Sequence, residues 1–303
     1  MINIIIQILF STLNFFFEVW HWIALGFLVA GLIREFVPEK QFLKMFSGSD
    51  LKALVKASFL GTFAQFLPHS KLPLAVSLYD MGASRASMIV FLVSTPWLCV
   101  VESLILVSFT GVQLFLFILF MTMVVAVLGG LLIGFLEKRR IIESEISKVS
   151  KKKFNSQQIN NQKNQKNRLI KALNYSLKFL KISGKWMAIG FLGAGVAKVL
   201  IPMETISNFL GYSIFSIPTA LGVAAIMELT VEASVPIICS LYAMGASPGV
   251  VFTLLMAGVV TDVTEIGTIW TVIGKRTAVA TILIFSFLTI IFGYVINLVF
   301  IPV

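Results

Sequence analysis

The sequence predicts an all-α, polytopic membrane protein of about eight to ten spans, built from two homologous halves with broken or re-entrant helices. Three observations lead there. First, the chain of 303 residues is 58% hydrophobic and only 13% charged, whereas a soluble domain carries about a quarter of its residues as charged groups. Second, apolar runs long enough to cross roughly 30 Å of hydrocarbon recur throughout. In lipid such runs must be helical, because each backbone N–H and C=O has to be satisfied within the segment. Third, nearly the same octapeptide appears twice, "SLYDMGAS" at 77–84 and "SLYAMGAS" at 240–247, 163 positions apart.

The repeat extends well beyond eight residues. "HWIALGFLVAG" at 21–31 aligns with "KWMAIGFLGAG" at 185–195 at an offset of 164, pairing Trp22 with Trp186, Gly26 with Gly190, Gly31 with Gly195 and Pro38 with Pro202. One skipped residue near Gly48 and Gly211 makes the offset 163, which then holds through Pro73/Pro236 and Glu102/Glu265. Ordered landmarks of this kind indicate an internal duplication. Residues 1–136 form a first transmembrane repeat, 137–182 a basic hydrophilic linker, and 183–303 a second transmembrane repeat.

Within the first repeat a helix is expected near 14–33, preceded by an interfacial stretch, and a second near 51–67. Residues 70–110 form a segment interrupted by prolines and glycines, bounded by Pro68 and including Pro73, Gly82 and Pro96. A last uninterrupted span covers 113–135, and the second repeat follows the same plan from Trp186 to Phe300. Closely spaced small residues (Gly26, Ala30, Gly31 and Gly190, Ala194, Gly195) suit tight helix contacts in lipid. For that reason "GFLGAG" reads as packing and not as a nucleotide loop. Whether the halves are inverted or parallel stays open at this level.

The net charge of +10 is concentrated. More than half of the basic residues fall between positions 138 and 185, with only Glu143 and Glu145 among them, so the rest of the chain is near neutral. By the positive-inside rule this linker is cytoplasmic and the protein is expected in the cytoplasmic (inner) membrane. Its Asn- and Gln-rich stretch lacks the interleaved aromatics of a nucleic-acid surface, so no nucleic-acid partner is expected; membrane lipid is. The two cysteines, Cys99 and Cys239, build neither a disulfide framework nor a CxxC site, and no cofactor signature occurs. No Lys or Arg precedes Arg34, so the first apolar segment reads as retained.

Carboxylates inside apolar segments are costly, roughly 2.5–3.5 kcal/mol each on insertion scales, and call for a reason. "AAIMELTVEASVP" places Glu228 and Glu232 four apart, and "GVVTDVTEIGT" places Asp262 and Glu265 three apart, each pair on one face of a helix if helical. The repeat sets Gln65 opposite Glu228, His69 opposite Glu232, Cys99 opposite Asp262 and Glu102 opposite Glu265. These positions suggest a polar cavity between the halves whose groups bind a substrate or ion, or carry protons. His69, Glu228 and Glu232 are the candidate metal ligands. The competing reading puts these groups at wet helix ends or in pairs with Lys56, Lys71 or Lys198, and Glu18 is a weaker candidate.

"ALGFLVAGLIREFVP", "SLYDMGASRASMIVFLVSTP" and "SLYAMGASPGVVFTLLMAG" resemble the predicted permeases of the organoarsenical-efflux type, over both halves. The resemblance implies a multi-span permease exporting trivalent organoarsenicals or metal ions. The chain is a divergent member, because the turn that carries cysteines in that family reads "FLPHSKLP" here, with Leu67 and His69 at the cysteine positions and Thr230 at another. Carboxylate and imidazole favour harder ions than thiolates do, so the family's thiol chemistry is not carried over. Function is therefore expected to be that of a non-enzymatic secondary permease for a small solute, with proton coupling through the buried carboxylates as a hypothesis. A metal or metalloid species is the first candidate, moved by alternating access. A lipid-carrier flippase and an intramembrane enzyme using the buried carboxylates stay open as alternatives. Neither direction nor oligomeric state can be read.

Overall fold

The computed structural model describes residues 2–36, 50–64, 84–94, 99–143, 168–227, 231–261 and 263–300. Their regular structure is entirely helical: α1 (Ile2–Phe36), α2 (Leu51–Ala64), α3 (Arg85–Val93), α4 (Val100–Lys138), α5 (Arg168–Leu200), α6 (Met203–Leu210), α7 (Ser216–Met227), α8 (Val231–Ala243), α9 (Pro248–Val260), α10 (Val263–Val272) and α11 (Lys275–Val299).

Among the described residues, four helices are long and apolar enough to cross a membrane, or five if the α5–α6 pair, bent by 103°, counts as one broken span. This agrees with the all-α, polytopic architecture expected, and the count of eight to ten reaches into apolar sequence outside the described residues. The described residues also include shorter apolar helices of 9 to 14 residues, α2, α3, α7 and α8. At 1.5 Å per residue such pieces reach only about 14–21 Å. The helix expected at 14–33 instead runs unbroken from Ile2, so no separate interfacial stretch precedes it. At the other end of the repeat, the span expected at 113–135 is the part of α4 that follows the break at Gly111 and runs to Lys138. Helix α5 begins at Arg168, so part of the region read as linker is helical.

Helices aligned by the two offsets run antiparallel against each other. In the α1–α5 pair, Thr12 meets Gly195, and the Phe16 ring stands edge-on to Phe191 at 5.8 Å. In the α4–α11 pair, Phe117 meets Phe300, Gly129 meets Phe285, and Glu143 just beyond α4 reaches Arg276 and Thr277. Each series descends on one helix as it rises on the other.

Corresponding helices also make corresponding contacts. Val90 of α3 fills the notch at Gly130 of α4. Thr253 of α9, 163 positions on, fills the notch at Gly293 of α11, where a Cβ would stand 2.6 Å from its hydroxyl. Both α3 and α9 start after an extended serine, Ser84 (φ −69°, ψ 157°) and Ser247 (φ −73°, ψ 156°). Ser84 accepts from the Ser87 amide at 3.1 Å, whereas α9 opens on Pro248, which has no amide to satisfy. The nine residues of α3 are all buried, as are nearly all of α9.

Candidate functional site

The site is assembled at the breaks. Helix α3 begins beside Glu137, near the end of α4, and its nine residues carry the chain about 14 Å inward before it breaks. The break is held by hydroxyls. The Ser94 amide and hydroxyl both donate to the Val90 carbonyl, and Thr62 of α2 donates to the Ser94 carbonyl at 2.9 Å. That carbonyl would otherwise be a helix-end acceptor left without a partner in an apolar interior. Helix α9 ends similarly, with the Thr261 amide and hydroxyl both 2.9 Å from the Ala257 carbonyl.

After each break a new helix starts with a carboxylate as its third residue. Glu102 lies in the first turn of α4, Glu265 in the first turn of α10, and both are buried. Aligned backbone amides at a helix start favour negative charge, so this position lowers the cost of burying a carboxylate. Glu102 is only 2% exposed. The thiol of Cys99, the N-cap residue of α4, donates a hydrogen bond to it, and Glu232 from the second half lies close enough to act on both electrostatically.

Glu232 arrives on α8. Ile217 near the start of α7 packs against Gly293 of α11, and Gly249, just after α8, meets the same glycine. Helices α7 and α8 therefore enter and leave at one end of the molecule, with residues 228–230 between them. Helix α8 lies along α5 in the same direction, through Gly190/Ala233, Gly193/Ile237 and the Ser240 hydroxyl on the Ala194 carbonyl at 3.2 Å. That seating presents Glu232, in its first turn, to α4.

Of the sequence-derived site, then, the structure places Glu232 within electrostatic reach of Glu102 and buries Glu265 at the equivalent helix start. Gln65, His69, Glu228 and Asp262 lie outside the described residues, as does Lys71. Among the described residues no group of three His, Cys, Asp or Glu side chains could hold a metal ion. Lys56 and Glu18 are exposed. Lys198 lies over the Phe15 ring at 5.0 Å. The alignment had already marked Cys99 as the counterpart of Asp262. The role of Thr62 carried no signal, since its partner carbonyl belongs to a break 32 residues away.

A second polar cluster sits where α4 ends. Arg85, 6% exposed, donates to Glu137 Oε1 at 2.7 Å and to the Glu143 carbonyl at 2.8 Å. The Glu143 carboxylate accepts from the Arg276 amide at 2.7 Å and from the Thr277 amide and hydroxyl at 2.9 Å each, capping α11. Partial burial pushes the Glu143 carboxyl up, but these hydrogen bonds outweigh it and hold its pKa below the ordinary value.

No curated protein and no solved structure matches the chain. A family model described as "Predicted permease" matches residues 5–298, nearly its whole length. Taken with the apolar helices long enough to cross a membrane, the match identifies a membrane protein: the chain belongs to the ArsP_1 family of predicted permeases.

Proposed function

We propose that the protein is a secondary permease of the cytoplasmic membrane, its linker on the cytoplasmic side, moving a small solute by alternating access at a polar site between its two halves. The observation that carries this is that Glu102, buried at the start of α4, lies within electrostatic reach of Glu232, half-buried in the first turn of α8 from the other half. A group so placed changes its surroundings whenever one half moves relative to the other. The antiparallel packing of the aligned helices supports an inverted arrangement, in which one relative motion opens opposite ends in turn.

Proton coupling follows from the same chemistry. A buried carboxylate and a half-buried one that feel each other's charge are harder to ionise together than singly, so hydration during alternation would load and unload one of them. A metal or metalloid species remains the proposed substrate and export the proposed direction, both on the family resemblance. A flippase for an anionic lipid carrier has less support, because the buried cation among the described residues, Arg85, is paired with Glu137.

The test is accumulation of a panel of metal ions, arsenite and methylarsenite in a host stripped of its own exporters. Cells carry empty vector, the intact protein, or a Glu102→Gln/Glu232→Gln double variant at matched membrane expression. A solute that falls with the intact protein and not with the double variant supports the site. If nothing in the panel moves, the metal and metalloid class is wrong. Transport indifferent to a pH gradient rules out proton coupling.

A further inference from the structure

We propose that Arg85, Glu137 and Glu143 form a latch that closes the linker-side mouth of the permease in this conformation, with the start of the linker as one of its working parts. The proposal rests on the permease reading and adds the control of its site. The contacts run in series from one half to the other. Arg85 at the start of α3 binds Glu137 of α4 and the Glu143 carbonyl, and the Glu143 carboxylate then holds the first amides of α11. Helices α3 and α4 belong to the first repeat and α11 to the second, so the series crosses the interface that must part if the halves move.

The latch is one-sided. The 163-residue register puts Pro248 where Arg85 stands and Phe300 where Glu137 stands. Among the described residues at that opposite end, Phe117 meets Phe300 across the halves without charge, and the hydrogen bonds are neutral: the Gly249 amide donates to Asn297 Oδ1 at 2.7 Å, and the Tyr212 hydroxyl to the Phe300 carbonyl at 2.5 Å. Charge-assisted hydrogen bonds are about twice as strong as neutral ones, so the two ends are held unequally. Glu143 lies within the basic linker that begins at 137. A pull on that segment, or a change in its charge, therefore acts directly on the cap of α11.

Cys99 is a native reporter, 9% exposed and hydrogen-bonded to Glu102. In a Cys239→Ala background, membrane vesicles would be treated with an impermeant maleimide on each face in turn. Glu143→Gln and Arg85→Gln should each raise Cys99 labelling from the linker face about tenfold, by shifting the population toward a state open on that side, and leave the other face unchanged. Thr277→Val, which removes one bond and keeps every charge, should give a smaller rise on the same face. Unfolding temperatures measured in parallel show that the variants are folded, and Thr277→Val carries the test if the charge variants are not. Unchanged labelling in the folded variants, or equal rises from both faces, would overturn the latch. The assay needs no transported solute, so its failure leaves the permease test untouched.

Discussion

Gly111 and Gly274 stand 163 residues apart, and both interrupt a helix with a backbone that L side chains rarely adopt, φ +77° and +148°. Gly111 divides α4, and Gly274 separates α10 from α11. Their surroundings differ: nothing lies near a Cβ added at Gly111, whereas one at Gly274 would stand 2.5 Å from Glu143 Cδ.

Alanine at these two glycines should therefore be unequal. Gly111→Ala bears only the backbone strain, about 1–2 kcal/mol. Gly274→Ala bears that strain and also dislodges the α11 cap, for about 1 kcal/mol more. Thermal unfolding in detergent would show Gly274→Ala as the less stable of the two; the opposite order would contradict the capping contact.

Gly190 and Gly184 make a second pair on one helix. A Cβ at Gly190 would lie 2.7 Å from the Ala233 Cα, so Gly190→Ala must push α8, with Glu232, away from α5. Overpacking of this kind costs about 1–3 kcal/mol. At Gly184 the nearest atom is a flexible Leu180 methyl at 3.5 Å, and alanine there should be neutral or stabilising by up to about 1 kcal/mol. Comparing unfolding temperatures and transport for the two checks this, and only Gly190→Ala should impair both.

Acid should weaken the Glu143 cap. Its folded pKa lies below the unfolded value, so the stabilisation is fully present above the ordinary carboxylate range and is lost as pH falls through the lowered pKa. The difference in unfolding temperature between wild type and Glu143→Gln should be largest near neutrality and close toward zero on acidification. A gap that widened in acid would reverse the sign of the linkage.

Glu102 and Glu232 should behave as one unit in transport. Glu102→Gln and Glu232→Gln singly should each lower the transport rate by roughly tenfold or more, and the double variant should lose little beyond either single one, because groups acting together are not additive. Strictly multiplicative losses would mean that the two act at separate steps.

The class of fold was legible because lipid leaves a chain few choices: long apolar runs must be helices. The breaks were partly legible too, through the repeated "MGAS" whose serines start α3 and α9, whereas Pro236 lies inside α8 and breaks nothing. The start of α5 at Arg168 was hidden because basic residues made a helix look like linker. Glu143 was hidden for another reason. It reads as one acid in a basic stretch, and its partners Arg276 and Thr277 are more than 130 residues away. Of the site, the pairing of Glu102 with Glu265 across the repeat was visible in the alignment. A shared polar cavity holding Glu102 and Glu232 was expected as well, but the seating of α8 along α5 that sets Glu232 toward α4 was not, because it depends on small-residue contacts such as Gly190 with Ala233.

The seating of α1 against α5 bears on how the protein is made. At about 5–20 residues per second, roughly ten to thirty seconds of synthesis separate the two helices. Until α5 emerges, Phe16 has no Phe191 to meet, and the groove at Gly195 that takes Thr12 does not exist. Helix α1 thus meets α4, through Phe15 with Phe109 and Gly26 with Val101, well before its second partner exists. A ribosome stall within the linker would leave its α5 face in lipid, within reach of a membrane protease.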